Sequence, residues 1–191
     1  MLADIDFEKI WDVKGKLSGC FEHCDGRCEY EALSIFLPGE AEFIAKKSGI
    51  AFNEFKENYL SAIKYHDLVD NKDYIIYVYK LGICLFLENG KGCRDETKKN
   101  FICKTYPIKG ELITGKLKIY PDPWCLLCKK NKLPEDFKNQ MTALWEDIGK
   151  KLPEWWLRGI MIIDRAYDYS KLNKLRDKEV VTTDELLKCR N

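Results

Sequence analysis

Apolar residues recur at steps of three and four in the last third of the chain, which predicts amphipathic helices. The first such helix opens at Pro134, and its apolar positions are Phe137, Met141, Leu144, Trp145, Ile148 and Leu152. A second helix opens at Pro153, and its apolar positions are Trp156, Ile160, Ile163 and Tyr167. Thr182 and Glu185 have the spacing of a capping box, so a short C-terminal helix is expected to start there.

The first half of the chain mixes helical and extended patterns. Helices are predicted from Pro38 to Gly49 and from Asn53, where Phe55, Tyr59, Leu60 and Ile63 follow at helical spacing. The run 74–79 is rich in β-branched and aromatic residues and predicts a strand. Turns at Asn89-Gly90 and Thr114-Gly115 predict two short hairpins, the second over 111–120.

These elements predict an α+β fold in a single domain over 1–191. We expect a cysteine-cluster metal-binding region over 20–128, with little regular structure apart from short hairpins. Helices pack against this irregular cysteine-rich lobe, and 134–191 forms a helical C-terminal region. The aromatic residues of the helical stripes are interpreted as core packing.

Charge and hydropathy exclude several classes of protein. Lys+Arg is 32 and Asp+Glu is 31, a balance that gives no sign of a nucleic-acid-binding face. No apolar stretch approaches the length of a membrane span, and the acidic N-terminus does not resemble a secretory signal. We therefore expect a cytoplasmic protein that binds neither nucleic acid nor a membrane.

The chain has nine cysteines, which point to a specific chemistry. In the reducing compartment expected for this protein, disulfides do not persist, so the cysteines are expected to be thiols. Eight of them fall into three groups, and Cys189 stands apart. The groups are Cys20, Cys24 and Cys28, then Cys84, Cys93 and Cys103, then Cys125 and Cys128. Clustered cysteines in such a protein indicate metal ligation, so all eight are candidate metal ligands.

Local sequence supports this interpretation. Gly26 permits a turn between Cys24 and Cys28, and the turn at Asn89-Gly90 would fold Cys84 back towards Cys93. Cys103 shortly precedes Pro107, where a helix cannot continue. Cys125 and Cys128 have the spacing of a metal-binding knuckle, in which backbone N–H groups can face the sulfurs.

The cysteine-bearing segments resemble the YkgJ-type cysteine-cluster family, whose members are described as zinc- or iron-chelating. The segment from Cys24 to Cys28 resembles the family's first element, with Asp25 as an extra residue and Glu29 in place of a further cysteine. The segment from Gly82 to Cys93 matches the middle element. Cys103-Lys104-Thr-Tyr-Pro107 matches the last element, with Lys104 in an arginine position. The resemblance covers about 20–107 and implies a metal-chelating function.

Thiolate sites suit zinc and iron–sulfur clusters. A [4Fe–4S] cluster is favoured over zinc, and eight thiols suffice for one site or two. Cys24, Cys28, Cys93 and Cys103 form the preferred first site, while Cys20, Cys84, Cys125 and Cys128 serve a second site or remain thiols. His23 could replace one thiolate.

Three function classes remain open, and the sequence does not decide whether the protein is an enzyme. The first is a metal- or cluster-binding protein with a redox, sensing or metal-handling role. The second is a methyltransferase-related enzyme, because the resemblance extends to flagellin lysine-N-methylases. The third is a structural zinc module that presents the helices after Pro134 to a protein partner, which an exposed apolar face over 137–152 would favour.

Acidic residues offer a further set of oxygen ligands, but their spacing matches no calcium loop. They are Glu40, Glu42, Asp67, Asp70 and Asp73. Solvated surface is the preferred interpretation of this set, and His66-Asp67 is interpreted as a pair at a helix end.

Overall fold

A computed structural model describes residues 5–13, 34–80, 87–88, 92–93, 99–166, 180–182 and 185. Its helices are α1 (Phe7–Asp12), α2 (Glu40–Lys47), α3 (Phe52–Tyr59), α4 (Phe101–Thr105), α5 (Leu126–Lys129), α6 (Glu135–Gly149) and α7 (Glu154–Ala166). Its strands are β1 (Leu60–Asp67), β2 (Lys72–Tyr79), β3 (Leu87–Glu88), β4 (Gly92–Cys93), β5 (Ile108–Ile113), β6 (Lys116–Pro121) and β7 (Val180–Thr182). Helices combined with small, mostly antiparallel sheets confirm the predicted α+β class.

The chain divides into two compact units. The first contains Ala3–Ala32 and Phe86–Leu152, and the second contains Leu33–Leu85 and Pro153–Asn191. The boundary falls between α6 and α7, which were expected to belong to one helical region. Among the described residues, no helix is long and apolar enough to cross a membrane.

The first unit is built on the β5–β6 hairpin, which α6 covers. The hairpin turns at Thr114 and Gly115, both of which have positive φ, as the sequence predicts. Trp145 of α6 is buried against β5, where its indole Nε1 donates a 3.0 Å hydrogen bond to the carbonyl oxygen of Ile108. Its ring lies where a Cβ of Gly110 would stand, so only glycine allows this approach. Phe101 of α4 packs edge-on against the same ring at 4.6 Å.

The apolar face predicted for α6 is buried. Phe137, Met141, Leu144, Trp145 and Ile148 are each at most 6% exposed. Leu152 is also buried, although the helix ends at Gly149. This stripe is therefore core, as its spacing predicts.

The second unit is a three-stranded sheet in the order β2-β1-β7, with α7 packed on it. β1 pairs antiparallel with β2 along its whole length, and β7 pairs parallel with β1 from Ala62↔Val180 to Lys64↔Thr182. Gly159 of α7 lies against Ile76 and Tyr65 of the sheet. Trp156 donates a 3.0 Å hydrogen bond from its indole to the carbonyl oxygen of Phe36.

Two predictions about secondary structure are wrong. Leu60 and Ile63 were assigned to the helix that starts near Asn53, but that helix ends at Tyr59 and both residues lie in β1. From Ile63 to Asp67 buried and exposed positions alternate, and pairing with β2 exploits this period of two. The mid-chain lobe was expected to have little regular structure apart from short hairpins, yet two short helices, α4 and α5, flank the predicted β5–β6 hairpin. α4 and the hairpin pack against α6, which provides the apolar surface that they cover.

Other local predictions are confirmed. β3 and β4 pair antiparallel on either side of the predicted turn at Asn89-Gly90, with Leu87 opposite Cys93. The capping box also forms, since the amide of Thr182 donates to Glu185 Oε2 at 2.9 Å and the amide of Glu185 donates to Thr182 Oγ1 at 3.2 Å. Tyr167 and most of the predicted C-terminal helix lie outside the described residues.

Candidate metal centre

Three of the predicted ligands have described side chains. Cys103 lies in α4, Cys125 is the N-cap residue of α5, and Cys128 lies within α5. All three carry thiols. Cys93 lies in β4, while Cys20, Cys24, Cys28 and Cys84, together with His23 and Cys189, lie outside the described residues.

The position of Cys103 is set by Asn100, a fully buried N-cap residue. The amide of Cys103 donates a 3.0 Å hydrogen bond to Asn100 Oδ1. The amide of Lys104 donates a 2.9 Å bond to the carbonyl oxygen of Asn100. The side-chain oxygen of an N-cap residue accepts a hydrogen bond from a helix N–H group that has no partner within the helix. Asn100 thus fixes the first turn of α4 and the direction in which it carries Cys103.

Lys104, the neighbour of Cys103, ties α4 to the end of α1. Its ammonium is fully buried and donates hydrogen bonds to the carbonyl oxygens of Ile10 at 2.9 Å, Val13 at 3.2 Å and Trp11. These carbonyls stand at the C-terminus of α1, where helical carbonyls lack intrahelical partners and a cation is favourable. Lys104 therefore holds Val13, the last described residue before Cys20 in the sequence, against the helix that carries Cys103.

Cys125 and Cys128 stand on a braced turn whose main support is Asp122, a buried carboxylate. Asp122 Oδ1 accepts a 2.9 Å hydrogen bond from the amide of Trp124, and its carbonyl oxygen accepts one of 3.1 Å from the amide of Cys125. Asp122 Oδ2 lies 3.3 Å from the ammonium of Lys109 on β5. The knuckle therefore has a fixed backbone entry.

The β5–β6 hairpin brings the two cysteine-bearing helices to one end of the first unit. α4 comes just before β5 and α5 comes just after β6, and adjacent ends of antiparallel strands meet. The amide of Asp122 donates a 2.7 Å hydrogen bond to the carbonyl oxygen of Pro107. Cys103 lies four residues before Pro107 and Cys125 lies three residues after Asp122, so both chain segments emerge from the same strand ends.

These thiols do not complete a site by themselves. Within the described part of the chain, no three His, Cys, Asp or Glu side chains are grouped so that they could hold a metal ion. Cys125 is buried, while Cys103 and Cys128 are half-buried, and sulfur donors of this kind suit zinc or an iron–sulfur cluster. A complete thiolate site around any of them therefore draws further ligands from cysteines outside that part.

The acidic residues of the β1–β2 hairpin are held in ion pairs. Arg158 donates to both carboxylate oxygens of buried Asp67 and lies 3.2 Å from Asp70. Asp73 pairs with Lys64 at 2.7 Å and with His66 Nδ1 at 2.8 Å. The interpretation of His66-Asp67 as a pair at a helix end is wrong, because both residues lie in β1 and face different partners.

Asn100, Lys104 and Asp122 are positioning residues whose role was not predicted from the sequence. Two of them carried a local signal, since Asn is a favoured N-cap residue and an Asp before Pro123 favours a turn. Lys104 carried no local signal of burial, because its three acceptors come from a helix near the start of the chain. Its correspondence to an arginine in the family pattern was the one available hint.

Comparisons of the chain with models of protein families, with curated proteins and with solved structures found no match. The resemblance to a cysteine-cluster family therefore stays a prediction. Function is inferred below from the cysteines and from the side chains that position them.

Proposed function

We propose that this chain is a metal-binding cysteine-cluster protein that holds an iron–sulfur cluster or zinc through cysteine thiolates. The observation that carries the proposal is the triple hydrogen bond of Lys104 with the end of α1. These bonds hold Val13, which precedes Cys20 by seven residues, against the helix that carries Cys103 of the second group.

Chain length allows the groups to meet. Cys20 follows Val13 by seven residues, which span at most ~25 Å when fully extended. Cys93 precedes Cys103 by ten residues and lies in the β3–β4 hairpin. We propose Cys24, Cys28, Cys93 and Cys103 as the first site, the set that the sequence favours. Cys20, Cys84, Cys125 and Cys128 are proposed to form a second site or to remain thiols.

The role proposed for the metal depends on its identity. A bound iron–sulfur cluster would supply one-electron redox chemistry, while zinc would supply a structural cross-link. The chain's own residues supply the sulfur donors, and Asn100 and Lys104 orient the helix that carries one of them. We favour the iron–sulfur cluster, in a cytoplasmic protein with a redox, sensing or metal-handling role.

The burial of α6 weakens the structural-module alternative. An exposed apolar face over 137–152 would favour that alternative, but the apolar side chains of this stripe are buried. The stripe is therefore not a docking face for a protein partner.

Anaerobic purification followed by visible absorption spectroscopy and analysis of iron, sulfide and zinc tests the proposal. A broad band at the blue end of the visible range, with iron and sulfide, is expected for a cluster. A colourless protein with stoichiometric zinc supports the zinc form. Protein that holds none of these elements after anaerobic purification and reconstitution with iron, sulfide or zinc contradicts the proposal.

Nine single Cys→Ser variants identify the ligands. Loss of a thiolate removes both a charge and a donor, so Cys24→Ser, Cys28→Ser, Cys93→Ser and Cys103→Ser should lose most of the bound metal. Cys189→Ser is the matched control and should keep it, since Cys189 belongs to no cysteine group. Metal lost from Cys189→Ser but retained in Cys24→Ser and Cys103→Ser would show that the ligand assignment is wrong.

A further inference from the structure

A single helical turn carries both Cys125 and Cys128 and holds their Cα atoms close together. The amide of Lys129 donates a 2.9 Å hydrogen bond to the carbonyl oxygen of Cys125, which closes one helical turn around the pair. Residues three apart in a helical turn have Cα atoms about 5 Å apart. Disulfides join residues whose Cα atoms lie roughly 4.4–6.8 Å apart. The Cα spacing of this turn therefore falls within the range that a disulfide needs.

We propose that Cys125 and Cys128 form a reversible disulfide by exchange with an anionic low-molecular-weight disulfide. The proposal goes beyond metal binding and does not require it, because it concerns two thiols that the preferred four-thiolate site leaves unused.

The backbone around the pair is fixed on both sides. Before the cysteine pair, Asp122 accepts hydrogen bonds from the amides of Trp124 and Cys125. After the cysteine pair, the amide of Asn131 donates a 3.0 Å hydrogen bond to the carbonyl oxygen of Cys128, and the amide of Lys132 donates one of 2.9 Å to the carbonyl oxygen of Leu127. Leu127 is buried and anchors the turn in the first unit. Holding the two sulfurs in one turn makes the second exchange step intramolecular, which favours an internal disulfide over a lasting mixed disulfide.

Access and charge decide the order of attack and the type of partner. Cys125 is 7% exposed, whereas Cys128 is half-buried and more accessible. Trp124 beside them is 79% exposed, and the ammonium of Lys129 lies 5.2 Å from its ring centroid. Lys129, Lys130 and Lys132 are all exposed. An apolar ring flanked by lysines suits a negatively charged disulfide.

The exchange balances in two steps. The Cys128 thiolate attacks one sulfur of the incoming disulfide, a Cys128–sulfur bond forms, and the first thiolate leaves. The Cys125 thiolate then attacks Cys128 Sγ, the Cys125–Cys128 bond forms, and the second thiolate leaves. The protein loses two electrons and two protons, and the incoming disulfide is reduced to two thiols.

Trypsin digestion isolates the pair, because Lys118 and Lys129 bound a peptide, 119–129, that contains no other cysteine. The full chain is equilibrated in glutathione buffers of graded oxidised fraction, with chelator and without it. It is then alkylated and digested. The expected product is an unalkylated 119–129 peptide that is about 2 Da lighter than the dithiol form. Cys189→Ser should give the same peptide, and Cys125→Ser should trap glutathione on Cys128.

Charge on the partner gives a second readout. Oxidised glutathione, which is anionic, should react faster than the cationic disulfide cystamine, and Lys129→Glu should reduce or reverse this preference. Persistent double alkylation of 119–129 in fully oxidising buffer overturns the proposal, as does Cys125 or Cys128 linked to any other cysteine. Equal rates for the two probes overturn the assignment of an anionic partner. Metal analysis of the same samples tests the proposed function separately. Metal-free protein that still forms the disulfide contradicts the proposed metal binding but not the proposed disulfide.

Discussion

The ammonium of Lys104 donates a 2.9 Å hydrogen bond to the carbonyl oxygen of Ile10, which lies 94 positions earlier in the chain. This contact joins the end of α1 to the helix that carries Cys103. The lysine is fully buried, so protein groups stabilise its charge in place of water. These groups are the helix carbonyls and the ring of Trp11, whose centroid lies 5.7 Å from the ammonium. The contact is thus a structural link between α1 and the helix that carries a candidate ligand.

Replacing Lys104 with Met should destabilise this link. The substitution leaves buried carbonyls without their donor, which costs about 1–3 kcal/mol. Hydrogen exchange should accelerate in α1 and in α4, and anaerobically purified variant should hold less metal. Lys138→Met is the matched control, since Lys138 forms an exposed i,i+3 pair with Glu135 that is worth less than about 1 kcal/mol. Exchange in α1 that matches the wild type would show that Lys104 does not hold this helix.

Asp122→Ala should loosen the turn before Cys125. The variant removes the acceptor for the amide of Trp124 and the partner of Lys109, at a cost of about 1–3 kcal/mol. The amide of Trp124 should exchange roughly tenfold faster or more. Asp122→Asn keeps an oxygen acceptor and should keep most of the protection. Equal exchange in the Ala and Asn variants would contradict a role for this hydrogen bond.

Asp67→Asn should destabilise the second unit in a pH-dependent way. Burial raises the pKa of Asp67, but hydrogen bonds from Arg158 and from the amide of Val69 outweigh burial, so the pKa is lowered overall. A lowered folded-state pKa gives stability that is present above the unfolded-state pKa and is lost as pH falls through the folded-state pKa. Urea unfolding at neutral pH should show a loss of about 1–3 kcal/mol in the variant.

The difference between wild type and Asp67→Asn should shrink as pH falls below about 4, where the Asp67 carboxyl of the unfolded chain begins to bind protons. Asp73→Asn is the control, because Asp73 is half-exposed and solvent screens its pairs with Lys64 and His66. A difference that stays constant from neutral pH to pH 3 would contradict the electrostatic origin of this stability.

Gly110→Ala should destabilise the first unit by about 1–3 kcal/mol, because its Cβ would overlap the buried ring of Trp145. The measurement is the urea midpoint, followed by Trp fluorescence. Gly115→Asn is a matched control in the same hairpin, since Gly115 has open space around it and Asn tolerates its φ of 74°. Similar midpoints for Gly110→Ala and the wild type would show that β5 can move away from α6.

Local chemistry in the sequence was enough to determine several elements. Thr114-Gly115 predicted the β5–β6 turn because few residues accept positive φ. Thr182 and Glu185 predicted their capping box because the two hydrogen bonds need only that spacing. The apolar stripe of α6 predicted its buried face. Residues at three- and four-residue steps lie on one side of a helix, and this side of α6 covers the hairpin.

Tertiary structure decided the features that depend on distant partners. Leu60 and Ile63 fit a helical spacing, but pairing with β2 made their segment a strand, since hydrogen bonding along eight residue pairs outweighs a weak local preference. Lys104 became a buried donor because the carbonyls of α1 meet it across the chain. The sequence determined which residues could ligate a metal, because thiol chemistry belongs to the residue. Only the fold decided that Cys103 and Cys125 stand at one end of a hairpin, because strand pairing brings together segments that are far apart in sequence.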